Sequence, residues 1–169
     1  MKTLIKRLML LCSFGWLSVT SHAISTHDLY ITTLSILSYA KWDSNTSSRP
    51  ILCVVDNPAI AQQFRQTIQQ NKYNYQVSAL SFEQLSRATC QAVFFSTLSA
   101  QEEQNAINNI LKPPVLTFSS KNKQCEIGSA FCLYQHKQLT AFKVNLDSLG
   151  QSKVHVDPRV LLLAKTSER

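Results

Sequence analysis

Between residues 51 and 120, short apolar runs rich in β-branched residues alternate with segments whose apolar residues recur every three or four positions. That rhythm constrains the chain more than any other feature, because parallel strands need a long crossover between neighbours and the crossover is usually a helix. The run ILCVV (51–55) predicts a strand buried on both faces. Asn57 is suited to cap the helix that follows and Pro58 to occupy its first turn, while Ile60, Phe64 and Ile68 give it a core face. The pattern continues through a weaker strand near Gln76–Leu80, a short capped helix SFEQLSRA, a strand AVFFST, a capped helix from Ser99 with Glu102, and a strand PVLTFSS. The expected fold class is α/β, a three-layer sandwich in which a mostly parallel sheet carries helices on both faces.

The flanks obey other periods. Upstream, STHDLYITTLSILSYA (25–40) has helical spacing, with Leu29, Thr33, Ile36, Leu37 and Ala40 on one face, a capped start at Ser25 and Asp28, and an end near Trp42. The polar SNTSSRP after it reads as a loop. Downstream, FCLY (131–134) and LTAFKVNL (139–146) flank the polar residues 135–138, which predicts an antiparallel hairpin at one sheet edge. Asp157 and Pro158 then open a terminal helix, VLLLAK, whose apolar content predicts docking against the body.

The first residues carry Lys2, Lys6 and Arg7, an apolar stretch from Leu8 to Val19, and the small-residue pattern Ser21-His22-Ala23. That order is the layout of a secretory signal peptide cleaved near Ala23. A membrane anchor fits less well, since Ser13, Gly15 and Ser18 interrupt a stretch already short of the about 20 residues that span a bilayer. Cys12 follows Leu11 where a lipidation signal needs a small residue, so it belongs to the discarded segment. Residues 24–169 then form a single domain in the periplasm, with enough chain for its own core. The overall charge of +7 falls to +4 once the three leader cations are removed. The remaining basic residues are scattered, and nucleic-acid binding would need them massed with interleaved aromatics.

Much chemistry is excluded by what is missing. With Gly128 and Gly150 as the only glycines after the leader, neither a P-loop nor a G-x-G-x-x-G turn can be built, and no nucleotide cofactor is expected. His27, His136 and His155 lie in no H-E-x-x-H or G-x-S-x-G context, so the chain reads as no enzyme. The informative residues are Cys53, Cys90, Cys125 and Cys132, an even set in an exported chain with three formal pairings. Cys53 sits in the first buried strand and Cys90 just before the third, its neighbour in a right-handed winding; Cys125 and Cys132 bracket the turn into the hairpin. The favoured pairs are therefore Cys53 with Cys90 and Cys125 with Cys132. A metal site using these thiols and His136 is the rival, but the gap between Cys125 and Cys132 exceeds the usual ligand spacing. No C-x-x-C pair is present, which leaves structural bridges rather than redox catalysis.

Several of these residues, taken in order, resemble the YfiR-like family of periplasmic regulators. The resemblance rests on the first helix ending in Tyr39 and Trp42, LCVV (52–55), Cys90 before a strand, PVLT (114–117), Phe142 with Asn145 and Leu146, and the terminal VLLLA. It implies an inhibitory binding protein that holds down an inner-membrane diguanylate cyclase through the enzyme's periplasmic region, and so lowers cyclic-di-GMP and biofilm signalling. It also implies an OmpA-like outer-membrane lipoprotein that sequesters the inhibitor, and a loss of inhibition when the Cys53–Cys90 bridge is reduced. Pairing of two copies into a homodimer is a further partner expectation. The chain departs from the family in having Gly128-Ser129 for a glycine pair and Lys143 for a glutamate, which suggests a re-matched partner surface. The expected contacts lie on the first helix and the hairpin, with Trp42, Lys143 and Leu149 as named candidates. A reading of another class is a small-molecule carrier or sensor binding at the strand-end crevice, with Trp42 or Tyr39 as a stacking surface.

Overall fold

The computed structural model describes residues 27–42, 49–137 and 139–167. The expected leader, the Ser25 cap and most of the loop after Trp42 lie outside them. Along the chain run α1 (His27–Ser38), β1 (Ala40–Lys41), β2 (Ile51–Val55), α2 (Pro58–Asn71), β3 (Gln76–Leu80), a 3-10 segment (Phe82–Arg87), β4 (Ala92–Phe95), α3 (Ala100–Asn109), β5 (Leu116–Ser119), β6 (Phe131–His136), β7 (Leu139–Val144), α4 (Leu146–Gln151), β8 (His155–Val156) and α5 (Arg159–Ser167).

Six strands form one sheet in the order β3-β2-β4-β5-β6-β7. Neighbours from β3 through β6 pair in parallel, and β7 returns antiparallel to β6 at the edge. The expected α/β sandwich with its edge hairpin is the fold. Crossovers form where the sequence supplies caps. Asn57 accepts from the Ile60 amide at 3.1 Å and Pro58 starts α2, which ends at Lys72 in the left-handed conformation (φ 57°). Ser99 and Glu102 close a reciprocal capping box on α3, with the Ser99 amide donating to Glu102 Oε2 at 2.7 Å.

Alternation along each strand sends residues to two cores. Leu52, Val54, Ala92, Phe94, Leu116, Phe118, Phe131, Leu133 and Phe142 face α1, α2 and α5. Rings chain across this core: Tyr30 meets Phe64 edge-on at 4.9 Å, Phe64 meets Phe94 at 5.1 Å, and Phe118 stacks on Phe131 at 5.4 Å. Cys53, Val55, Val93 and Phe95 face the other way, toward Leu85 of the 3-10 segment and Ala106 of α3.

Three departures from the sequence reading have physical causes. The first helix stops at Ser38, because Ala40–Lys41 pairs antiparallel with His155–Val156 and so extends the backbone ahead of Trp42. The hairpin strand stops at Val144: Asn145 caps a helix not foreseen, α4, accepting from the Ser148 amide at 3.0 Å. The terminal helix docks through Val160 (1% exposed), yet Leu161, Leu162 and Leu163 are 38%, 65% and 42% exposed. Successive helix positions turn by about 100°, so an unbroken apolar run cannot face one way.

Disulfides join Cys53 to Cys90 and Cys125 to Cys132, 37 and 7 residues apart. Loop-closure entropy then predicts that replacing the first pair by alanine lowers the unfolding free energy by about 4 kcal/mol and the second by about 2 kcal/mol. Denaturant titration of both double variants measures the two losses, and equal losses would contradict the entropic account.

Candidate functional site

Strand β7 is the sheet's edge: it pairs with β6 alone, and α5 packs along it. Between them lies a groove of about 470 Å³ whose lining includes Cys125, Phe142, Lys143, Leu146 and Leu161. Leu146 is 64% exposed and Leu161 38%, and together they give the groove an apolar rim exposed among the described residues. Lys143 stands opposite Cys132 on the ladder and extends over the Tyr134 ring, 5.7 Å from its centroid. That contact holds a cation at the groove's lip. Cys125 Sγ lies 3.6 Å from the Lys143 carbonyl oxygen, a packing contact, since a bridged sulfur carries no proton.

Trp42 and Leu149 lie elsewhere. The Trp42 indole N–H donates to the Gln91 carbonyl at 3.2 Å, and the ring helps line a cavity of about 740 Å³ with Ile51, Leu85, Cys90, Ile110 and Val115. Leu149, half-buried on α4, packs on the larger core and lines neither space. From Tyr30 through Leu37 the first helix is buried or half-buried throughout, against α2 and β7, so little of it is open to a partner. Sequence reasoning missed the exposed leucines of α5, although their unbroken run was the available signal.

The 740 Å³ cavity opens at the entry ends of β2, β4 and β5, opposite to the carboxyl ends where open α/β sheets usually hold ligands and where a smaller hollow of about 340 Å³ is lined by Asp56, Asn57 and Ser81. At those carboxyl ends the chain satisfies itself. Asp56 Oδ1 accepts from the Phe82 amide at 3.1 Å, and the Asn57 amide group donates to Ser96 Oγ at 3.1 Å. Among the described residues no group of three or more His, Cys, Asp or Glu stands together as a metal site, and no helix is long and apolar enough to cross a membrane.

The groove's exposed apolar residues should be dispensable for folding while its floor is not. Leu146→Ser is expected to change stability by less than about 0.5 kcal/mol, whereas Phe142→Ala, at 3% exposure, should cost about 3–5 kcal/mol. Thermal denaturation of both variants checks this, and a large loss at Leu146 would make it a structural residue.

A sequence profile of the family described as DUF4154: YfiR/HmsC-like matches residues 31–165, from within α1 to within α5.

Proposed function

The chain belongs to the YfiR/HmsC-like family, a family of periplasmic regulators, and on that basis we propose that it is an exported inhibitory protein rather than an enzyme. In this reading it binds the periplasmic region of an inner-membrane diguanylate cyclase, holds the enzyme inactive and lowers cyclic-di-GMP. An OmpA-like outer-membrane lipoprotein is the proposed sequestering partner. The observation that carries the reading on this chain's own residues is the β7–α5 groove, where the exposed Leu146 and Leu161 line the same space as Lys143 at a sheet edge. Apolar anchors beside a fixed charge are what a partner segment of matching shape and opposite charge would use. Of the residues named from sequence, Lys143 keeps a proposed contact role in this groove. Leu149 is assigned instead to seating α4.

Deleting the gene should raise cellular cyclic-di-GMP, and unchanged levels under every growth condition tried would remove the reading. With purified components, Leu161→Ser and Lys143→Glu should each weaken capture of the cyclase's periplasmic region, the leucine by about 30-fold if it is a central anchor. Full affinity in both variants would place the interface elsewhere.

The carrier reading keeps one specific support, the Trp42 cavity of about 740 Å³ and its largely aliphatic walls. After leader removal Trp42 is the only tryptophan, so its fluorescence reports on that cavity directly. A copurifying small molecule seen by mass spectrometry, whose removal shifts the Trp42 emission, would favour the carrier; an empty protein with unchanged emission would leave the inhibitor.

A further inference from the structure

Helix α3 begins with two glutamates that behave in opposite ways. Glu102 folds back on Ser99 at the surface, while Glu103 is fully buried (0% exposed) on the sheet face opposite the aromatic core. Its carboxylate meets donors on every side. Ser119, at the end of β5, gives its hydroxyl to Oε1 at 2.5 Å; Ser129 gives both amide and hydroxyl to Oε2, at 3.1 and 2.9 Å; Asn122 Nδ2 lies 3.4 Å away. The next residue, Gln104, accepts from the Gly128 amide at 2.8 Å. Gly128 has a φ of +89°, and a Cβ there would fall 2.8 Å from Glu103 Oε2. The loop 120–130, which carries Cys125, is thus folded around one carboxyl group.

Among the described residues no cation faces that group. On the elements packed around it, Glu102 turns to Ser99, Lys121 reaches the Thr97 carbonyl, Lys143 lies over Tyr134, and Lys123, Glu126 and Asp147 are exposed. The charge is opposed by desolvation and eased by neutral donors alone, and desolvation is the largest influence, pushing the Glu103 carboxyl above its ordinary range. Of the two hydroxyl donors, Ser119 Oγ already accepts from the Lys121 and Asn122 amides, so Ser129 Oγ is the one that can turn to accept from a protonated carboxyl.

We propose that Glu103 is a proton-operated latch on the loop carrying the Cys125–Cys132 bridge: protonation locks the loop against α3, and ionisation favours an opening that returns the carboxylate to water. The sign follows from linkage. A carboxyl whose affinity for the proton is higher in the closed state contributes to closure in acid, and that contribution is lost as pH rises through its closed-state pKa. The loop leads straight into the groove, since Gln124 and Cys125 line it and the Ala130 carbonyl accepts from the Asn145 amide, just past β7, at 2.9 Å. Control of a partner through this latch rests on the groove reading above; the latch itself does not.

The experiment uses the leaderless protein with both bridges intact and reads hydrogen exchange at the Asn122, Cys125 and Ser129 amides as protection factors against pH. The opening constant should rise with pH, by at most about tenfold per pH unit, through the Glu103 titration. Glu103→Gln, which is neutral and of the same shape, should hold the loop closed with protection independent of pH. Protection in the wild type that ignores pH, or a variant that follows the wild-type profile, would overturn the latch. Should the variant not fold, the carbon-13 titration of the wild-type carboxyls still decides: Glu103 must titrate above an unfolded-chain glutamate, and a value at or below it overturns the proposal. Loss of partner capture with the exchange profile intact would count against the groove and leave the latch standing.

Discussion

Parallel strands buried on both sides leave no face to water, so this chain has to furnish two cores rather than one. It does so with different chemistry on each side. Facing α1, α2 and α5 the sheet is apolar across its width and bound together by a run of aromatic rings. On the other side the apolar part centres on β2 and β4, under the 3-10 segment and α3. Beneath β5 and β6 the inward residues are Thr117, Ser119 and Cys132, and hydrogen bonds take over from packing. Each bridge sits in one of these two halves: Cys53–Cys90 in the apolar part, Cys125–Cys132 beside the polar one.

What was legible in the sequence follows the same division. The β2 and β4 runs announced themselves because a strand buried on both faces needs uninterrupted apolar residues, and the α2 and α3 caps because Asn57-Pro58 and Ser99 with Glu102 satisfy amides locally. Features made by distant pairing were not legible. Ala40 and Lys41 carry no strand pattern of their own and are extended because β8 is there to pair with them. Helix α4 was hidden because Leu146 continues the alternation of β7, and the Asn145 side chain, not hydrophobic period, ends the strand.

The candidate site shows the same limits. Lys143 was legible as a charge on an edge strand, but its neighbours in the groove come from α4 and α5 and depend on how those helices dock. Trp42 was legible as an aromatic with a surface to offer, yet the space it borders lies at the opposite end of the strands from the one their topology suggests. Glu103 could not be read at all. Next to a capping glutamate it has the composition of an ordinary exposed first turn, and only the return of the chain at Ser119, Asn122 and Ser129 buries it.

The small β1–β8 pairing has a consequence for the order of assembly. Ala40 is matched with Val156, and the Asp157 amide donates to the Tyr39 carbonyl at 3.0 Å, so the described chain is clasped near both ends. A polypeptide delivered from its first residue can complete β2, β3, β4 and their bridge while much of its length is still to come. Helix α1 can already settle on α2, but β1 must wait for a partner more than a hundred residues away. The clasp ties a late segment to an early one, so a chain cut short before β8 would keep α1 on α2 and β7 but leave β1 unpaired beside an otherwise finished sheet.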